Sequence, residues 1–267
     1  MIKTIGYKNS FWYRKEIKMK GLIKTETEIE CMRQACAIVR DTLKLLEEKI
    51  KVGMSTFELD KIARDYIHSC GAKCSFKGYQ GYPGNICVSI NQEVVHGIPN
   101  KTRIIKDGDI VSCDVGAYYK GFHGDAARTF AVGNVAPDTL KLIEVTKQSF
   151  FEGIKGLKAG CKVGELSERI QKYVEANGYS VIRMLEGHGV GRNLHEYPSV
   201  PNYGKSNQGA TLFAGMTIAI EPMVNMGKKE IVMLDDDWTI ESKDGSMSAH
   251  YENTILITED GVEILTL

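Results

Sequence analysis

Residues 109–125 read Asp109-Ile-Val-Ser-Cys-Asp114-Val-Gly-Ala-Tyr-Tyr-Lys-Gly-Phe-His-Gly-Asp125, and this stretch decides the fold. A turn at Tyr119-Lys120-Gly121 within β-rich sequence predicts a hairpin over residues 109–130. Asp114 and Asp125 then lie on opposing strands and can face each other across the ladder. Buried carboxylates are costly unless their charge is compensated, and a pair of divalent cations compensates it. Two unrelated surface aspartates beside a turn are the alternative for this pair alone.

Three more side chains with metal-binding chemistry lie in apolar, strand-like sequence. They are His188, Glu221 and Glu252. His188 lies in the glycine-dense run Gly-His-Gly-Val-Gly at residues 187–191, and glycine lets the backbone approach a site closely. Together with the two aspartates, they predict a metal centre of four carboxylates and one imidazole.

The second half of the sequence repeats the first. A shift of 107 residues places Gly-Asp-Ile-Val-Ser-Cys-Asp, ending at Asp114, on Gly-Met-Thr-Ile-Ala-Ile-Glu, ending at Glu221. The match of His123-Gly-Asp125 with His250-Tyr-Glu252 needs a shift of 127, so about twenty residues are inserted in the second half. We therefore expect two related α/β halves, about 22–133 and 134–267, in one catalytic domain of residues 21–267. Each half contributes two carboxylates to a site at the junction, where ligand sites tend to lie.

Composition narrows the class of protein. The chain has 267 residues, 43% of them apolar, and zero formal net charge, which is typical of a globular protein and not of a specific nucleic-acid binder. It has no apolar run of membrane-spanning length. Seven cysteines without regular spacing indicate reduced thiols and favour a cytoplasmic location.

Residues 1–20 form a basic N-terminal extension with six lysines and arginines and one glutamate. We interpret this extension as a poorly ordered tail. A contact arm for ribosomal RNA and translation starting at Met19 are the alternatives.

Helix one is predicted to begin after Thr25, because Glu28 completes a capping box. Ser55 or Thr56 is predicted to cap a second helix that ends near Ser69. A strand is expected at residues 86–91.

Two further histidines lie near predicted strand ends, one next to Gly97 and the other four residues after Gly191. They are His96, in Val-His-Gly-Ile-Pro at residues 95–99, and His195, seven residues after His188. Active-site loops are found in such places, although isolated histidines are more often structural or exposed.

Several motifs together resemble one family. They are Cys-Val-Ser-Ile-Asn at 87–91, Val-His-Gly-Ile-Pro at 95–99, Asp114 with Asp125, Gly-His-Gly-Val-Gly at 187–191, Ile-Glu-Pro at 220–222 and Glu-Asn-Thr at 252–254. On these motifs the chain resembles type I methionine aminopeptidases of the bacterial type, from about Leu22 to Leu267. The resemblance implies an α+β, pita-bread (creatinase/aminopeptidase) fold, with two pseudo-symmetric α/β halves around a central antiparallel sheet.

The resemblance implies a role for each member of the metal centre. Asp114 would bind one metal ion through both oxygens, Asp125 and Glu252 would bridge two ions, and His188 and Glu221 would bind the other. The ions would be Mn, Fe(II), Co or Zn. A monovalent cation near Asn91 and Ser248 is a further possibility within the family.

The implied reaction removes the N-terminal methionine from nascent proteins and peptides. A metal-bound hydroxide would attack the first peptide bond while Glu221 takes and passes on its proton. His195 would bond the carbonyl oxygen as its negative charge develops, and His96 would contact the scissile amide nitrogen or stabilise the departing amine.

The resemblance also implies an apolar pocket for an unbranched thioether. Tyr79, Tyr82, Cys87 and Trp238 match its expected wall. Phe76 stands where a cysteine is frequent and Leu194 where an aromatic residue is frequent. These two differences bear on fine specificity and leave the reaction unchanged.

The expected partners are nascent polypeptide N-termini, with transient ribosome association, no membrane and a monomeric state. Two other functions were weighed. A proline dipeptidase of the same fold usually has a separate N-terminal domain, and only about twenty residues precede helix one here. A catalytically inactive binding protein tends to lose metal ligands, whereas all five are present.

Overall fold

The structure is a computed structural model that describes residues 21–267; the predicted basic extension lies outside these residues. Four helices span Glu26–Lys49 (α1), Thr56–Ser69 (α2), Pro137–Ile154 (α3) and Val163–Ala176 (α4). A 3₁₀ turn covers Tyr79–Gly81. The strands are Lys73–Cys74 (β1), Cys87–Ile90 (β2), Glu93–Val95 (β3), Ile110–Tyr119 (β4), Phe122–Ala131 (β5), Ser180–Val181 (β6), Glu186–Gly189 (β7), Glu196–Pro201 (β8), Thr217–Ile220 (β9), Met223–Asn225 (β10), Ile231–Met233 (β11), Ile240–Ser242 (β12), Ser248–His250 (β13), Asn253–Ile257 (β14) and Val262–Ile264 (β15).

The first helix begins at a capping box, as predicted, and the second helix begins at one as well. The Thr25 hydroxyl accepts a hydrogen bond from the Glu28 N–H, and the Glu28 carboxylate accepts one from the Thr25 N–H. Ser55 and Glu58 repeat this exchange at the start of α2, so the cap is Ser55 and not Thr56. These contacts satisfy N–H groups that a helix start leaves without partners.

Antiparallel pairing builds all the sheets of the described residues. One sheet has the order β1-β4-β2, with β5 also paired to β4, and another has the order β15-β14-β9-β7-β8. Two smaller sheets have the orders β13-β10-β6 and β11-β12-β3. Helices packed against antiparallel sheets agree with the predicted α+β class.

Elements of the two halves correspond at an offset of 107 residues. Helix α4 matches α2 at both ends, and strand β6 matches β1. The isolated bridge between Ser55 and Ile104 likewise matches the bridge between Lys162 and Thr211. The insertion predicted in the second half forms β11 and β12, between β10 and β13. The domain limits at residues 21, 133 and 134 stay predictions.

Each half has its own apolar core. Helices α1 and α2 pack on the first sheet through side chains that include Val39, Leu59, Val88 and Val115. Helices α3 and α4 cover the second sheet through a separate cluster. That cluster includes Leu142, Phe150, Leu166, Ile170 and Ile218. Between residues 21 and 267, no helix combines the length and the apolar character needed to cross a membrane. The sheets of the two halves meet between these cores.

Candidate active site

One cavity collects all the side chains predicted to bind divalent metal or substrate; Asn91 and Ser248 lie outside its lining. Its volume is about 230 Å³. The lining residues are Phe76, Tyr79, Gln80, Tyr82, Cys87, His96, Asp114, Asp125, His188, Leu194, His195, Glu221, Trp238 and Glu252. Gln80 is the only one of these that the sequence did not suggest.

The first carboxylate pair lies on the hairpin β4–β5. Lys120 and Gly121, both with positive φ, form its turn. Asp114 is paired with Ala127 and Asp125 with Gly116, so the two aspartates are diagonal neighbours on one face of the ladder. The expectation that they face each other directly is corrected by this two-residue offset. Diagonal neighbours still point the same way, and long side chains can meet across that separation.

The second carboxylate pair lies where a strand pair is interrupted. Ile220 is paired with Asn253 and Met223 with His250, which places Glu221 opposite Glu252 between them. Pro222 follows Glu221 and has no N–H to donate to a ladder. The interruption leaves both glutamates at strand ends, with their side chains in the cavity.

Backbone hydrogen bonds join the halves at this point. The Glu252 N–H donates to the Ala127 carbonyl over 3.0 Å, and the Ala127 N–H donates in return over 3.4 Å. The Asp125 N–H donates to the Thr254 hydroxyl over 3.1 Å. The relative position of the two carboxylate pairs is therefore held by main-chain contacts across the junction.

The His188 imidazole is oriented by its own backbone. Its Nδ1 lies 2.8 Å from the Gly189 carbonyl oxygen, so Nδ1 carries the proton and donates. The lone pair of Nε2 then points to the carboxylates, 3.8 Å from Oδ2 of Asp125 and 3.8 Å from Oε1 of Glu221. An imidazole held in this way is typical of a metal ligand.

Burial and mutual repulsion disfavour charge on the carboxylates. Burial raises the pKa of Asp114 to about 7. Burial raises the pKa of Asp125, Glu221 and Glu252 well above the ordinary range, and the charge of neighbouring carboxylates adds to it. Burial, followed by the neighbouring His195, lowers the pKa of His188 to about 3, so its imidazole is neutral.

These residues fit a divalent metal. Ligand atoms of Asp125, His188 and Glu252 all lie within 4.8 Å of one another. Oδ1 of Asp114 and Oδ1 of Asp125 are buried without a hydrogen-bond partner, which is costly for a polar atom. Cations would satisfy these oxygens and cancel the repulsion that raises the pKa values.

The two further histidines flank the carboxylates. Nδ1 of His195 lies 2.8 Å from the Tyr79 hydroxyl, and the His195 and His188 rings are 4.1 Å apart. His96 has a φ of 60°, a strained value for a residue with a side chain. Burial lowers the pKa of His96 to about 4, with a further contribution from His195. Neither histidine was predicted to bind metal.

This arrangement agrees with the comparison of the sequence with known families. The sequence profile described as metallopeptidase family M24 matches residues 30–259. The chain belongs to this family. The chain is similar in sequence to bacterial methionine aminopeptidases. That of Clostridium acetobutylicum is 51% identical over 246 residues, which are 92% of this chain and 98% of the relative. That of Escherichia coli K12 is 46% identical over 246 residues, which are 92% of this chain and 93% of the relative. The resemblance to the bacterial type I group is confirmed.

Solved structures confirm the pita-bread fold. The crystal structure of a methionine aminopeptidase from Thermotoga maritima matches with a TM-score of 0.90 and 46% identity, covering 91% of this chain and 98% of that one. A prolidase from Pyrococcus furiosus matches with a TM-score of 0.73 and 25% identity, covering 95% of this chain and 67% of that one. Membership of M24 implies divalent metal binding, in agreement with the ligand cluster.

Beside the candidate metal ligands, this M24 peptidase has an apolar pocket wall. Phe76, Tyr82, Cys87 and Leu194 form a buried cluster, and Tyr79 and Trp238 pack against it. The Tyr82 hydroxyl donates to the carbonyls of Ile86 and Gly97, at 3.2 and 3.0 Å. Trp238 comes from the insertion, whose strand β12 pairs with β3.

Sequence reasoning missed three residues around the site. His250 is 2% exposed, and its Nε2 lies within 4.0 Å of oxygens of both Glu221 and Glu252. The repeat match of His250 with His123 was the available signal. Lys24 and Glu196 form a buried ion pair next to His195, with Nζ 2.9 Å from Oε2. No pattern in the sequence indicated that pair.

Proposed function

We propose that this protein removes the N-terminal methionine from peptides and nascent polypeptides, with Asp114, Asp125, His188, Glu221 and Glu252 as metal ligands. The observation that carries the proposal is the single cavity in which this donor set adjoins two histidines and an apolar pocket. Relatives named methionine aminopeptidase at 46–51% identity support the same activity.

Divalent cations bound here would supply Lewis acidity and make an attacking hydroxide available near neutral pH. Four carboxylates and one imidazole would suit two ions, which Asp114, Asp125, His188, Glu221 and Glu252 would hold. Mn, Fe(II), Co and Zn all accept this donor set. A monovalent cation near Asn91 and Ser248 is part of the proposal; the Ser248 N–H donates to the Asn91 carbonyl over 2.9 Å.

Glu221 is proposed to move the proton. Its side chain is 14% exposed and borders the cavity, so it can reach both solvent and substrate. A carboxylate that borders the cavity can accept a proton from the attacking water. It then passes the proton to the departing amine.

His195 is proposed to stabilise the developing oxyanion. Nδ1 lies 2.8 Å from the Tyr79 hydroxyl, and in the tautomer that we propose the hydroxyl donates to Nδ1 and the proton is on Nε2. An Nε2–H held in this way can donate to the carbonyl oxygen of the scissile bond. His96, on the other side of the pocket with its ring 6.3 Å from that of Trp238, is proposed to contact the scissile amide nitrogen.

The pocket is proposed to hold the methionine side chain. Phe76, Tyr79, Tyr82, Cys87, Leu194 and Trp238 offer an apolar surface, which suits a flexible thioether. Removal from the N-terminus alone follows if the free amino group of the substrate is held at the metal centre.

Nascent chains as substrates imply transient association with ribosomes, action as a monomer and a cytoplasmic location, and we include all three in the proposal. The free state of all seven cysteines supports the location.

The test is peptide hydrolysis by metal-stripped protein. Mn(II), Fe(II), Co(II) or Zn(II) is restored in turn, with Met-Ala-Ser and an Ala-Pro dipeptide as competing substrates. Release of free methionine only, and only with metal, is expected. Cleavage of the Ala-Pro dipeptide instead would assign the protein to the proline peptidases. Metal binding without any cleavage would favour a binding protein. His96→Ala should keep the metal and lose most turnover.

A further inference from the structure

His250 is a buried histidine beside the proposed metal ligands, and its Nε2 has no hydrogen-bond partner. It ends strand β13, and its side chain is 2% exposed. Nε2 lies 3.7 Å from Oε2 of Glu221 and 4.0 Å from Oε2 of Glu252. These separations exceed hydrogen-bond length, and Nε2 has no other partner. A buried polar atom left in this state needs an explanation.

The surroundings of His250 repeat those of His188. The Nε2 atom of His188 is also 3.8 Å from one oxygen on each of two carboxylates, those of Asp125 and Glu221. Nitrogen and oxygen ligands bind divalent metals at about 2.1 Å, so two ligands of one ion lie roughly 3 to 4 Å apart. Both imidazoles meet this requirement. Glu221 lies between them, with Oε1 toward His188 and Oε2 toward His250.

An imidazole nitrogen that faces two carboxylates, without a hydrogen bond to either, gains a partner when a cation lies between them.

We propose that His250 is a sixth protein ligand of the metal centre and binds the cation shared by Glu221 and Glu252. This inference rests on the proposed function, because it assumes that those two glutamates hold metal. A second imidazole makes the donor set more nitrogen-rich. It therefore favours borderline cations such as Zn(II) and Co(II) over Mn(II), which prefers oxygen.

The test compares metal binding in three forms of the full chain. His250→Gln keeps an amide that can donate a hydrogen bond to Glu221 but is a poor metal ligand. His123→Gln is the matched control, because His123 lies at the equivalent position of the first half and contacts Ser75 through Nδ1. Dissociation constants for Zn(II), Co(II) and Mn(II) are measured by chelator competition. We expect a loss of at least about tenfold for Zn(II) and Co(II) in His250→Gln, a smaller loss for Mn(II), and no change in His123→Gln.

A second measurement does not depend on a variant. Pulsed electron paramagnetic resonance of the wild-type protein loaded with one equivalent of Cu(II) counts the bound imidazoles. Two are expected in the wild type and one in His250→Gln or, if that variant does not fold, in His250→Asn. A single imidazole in the wild type, or unchanged Zn(II) affinity in His250→Gln, overturns the inference. If one of these two results is found but the wild type still binds metal and releases methionine, only the proposed role of His250 is wrong. If it binds no metal, the proposed function fails.

Discussion

Nδ1 of His195 lies 2.8 Å from the hydroxyl oxygen of Tyr79, and the two rings are stacked with centroids 5.2 Å apart. Tyr79 was expected only as part of the apolar wall. Its hydroxyl also holds the orientation of the histidine proposed to bond the carbonyl oxygen and, in the proposed tautomer, donates to its Nδ1. The pocket and the catalytic group are thus connected through one side chain.

We predict that Tyr79→Phe lowers kcat about tenfold, equivalent to about 1.4 kcal/mol of transition-state stabilisation, because the tautomer of His195 is no longer fixed. KM should change little, since the ring remains. Steady-state kinetics on Met-Ala-Ser measures both. Tyr203→Phe, at a half-buried tyrosine outside the cavity, is the control and should match the wild type. A raised KM with unchanged kcat would show that the hydroxyl serves binding only.

Metal removal should lower thermal stability. Without cations, the buried carboxylates repel one another and Oδ1 of Asp114 and of Asp125 lack partners. At a hundredfold excess over the dissociation constant, a bound ion stabilises the folded state by about 2.7 kcal/mol. Melting curves of the stripped protein with and without Co(II) should therefore differ by several degrees. Asp125→Asn should lose this difference; an equal shift in that variant would place the ion elsewhere.

The ion pair of Lys24 and Glu196 should be important for stability. Both side chains are almost wholly buried, at 2% and 8% exposure, and Oε1 of Glu196 also accepts the Asn193 N–H over 3.0 Å. Lys24→Met leaves a buried carboxylate unpaired, which costs about 3–5 kcal/mol in urea unfolding. The loop with His195 loses its anchor, so kcat should also fall.

A double-mutant cycle tests whether Lys24 and Glu196 act together. Lys24→Met with Glu196→Leu should lose less stability than the two single changes added, because no unpaired charge remains. Lys172→Met, at a largely exposed pair with Glu168, is the control and should change little. Additive losses would show that the two residues act independently.

Gly124 should tolerate no side chain. A Cβ there would lie 2.8 Å from the backbone nitrogen of Cys36 and 2.9 Å from its Cα, where α1 packs on β5. Gly124→Ala therefore pushes helix and strand apart, at a cost of about 1–3 kcal/mol, and shifts the neighbouring Asp125. The free energy of unfolding and the affinity for Co(II) should both decrease. Gly261→Ala is the control, since its Cβ would meet nothing closer than 4.0 Å; equal effects would contradict the packing argument.

Local patterns in the sequence predicted much of this fold. The capping boxes at Thr25 and Ser55 depend on residues three apart, so they can be read directly from the chain. The hairpin of β4 and β5 follows from a short turn between apolar strands. The register of the two strands could not be predicted in the same way. A shift of two residues keeps every side chain on the same face of the sheet and leaves the alternation of apolar and polar residues unchanged.

The sequence alone indicated the chemistry of the candidate site, because the repeat pointed to its four carboxylates and the motifs around glycine pointed to His188 and the two further histidines. Only the tertiary structure decided how they meet. The diagonal position of Asp114 and Asp125, the buried pair of Lys24 and Glu196, and the place of His250 beside Glu221 depend on contacts between distant segments. Such contacts are set by how sheets and helices pack, and packing between residues far apart in the chain leaves no local periodic signal in the sequence.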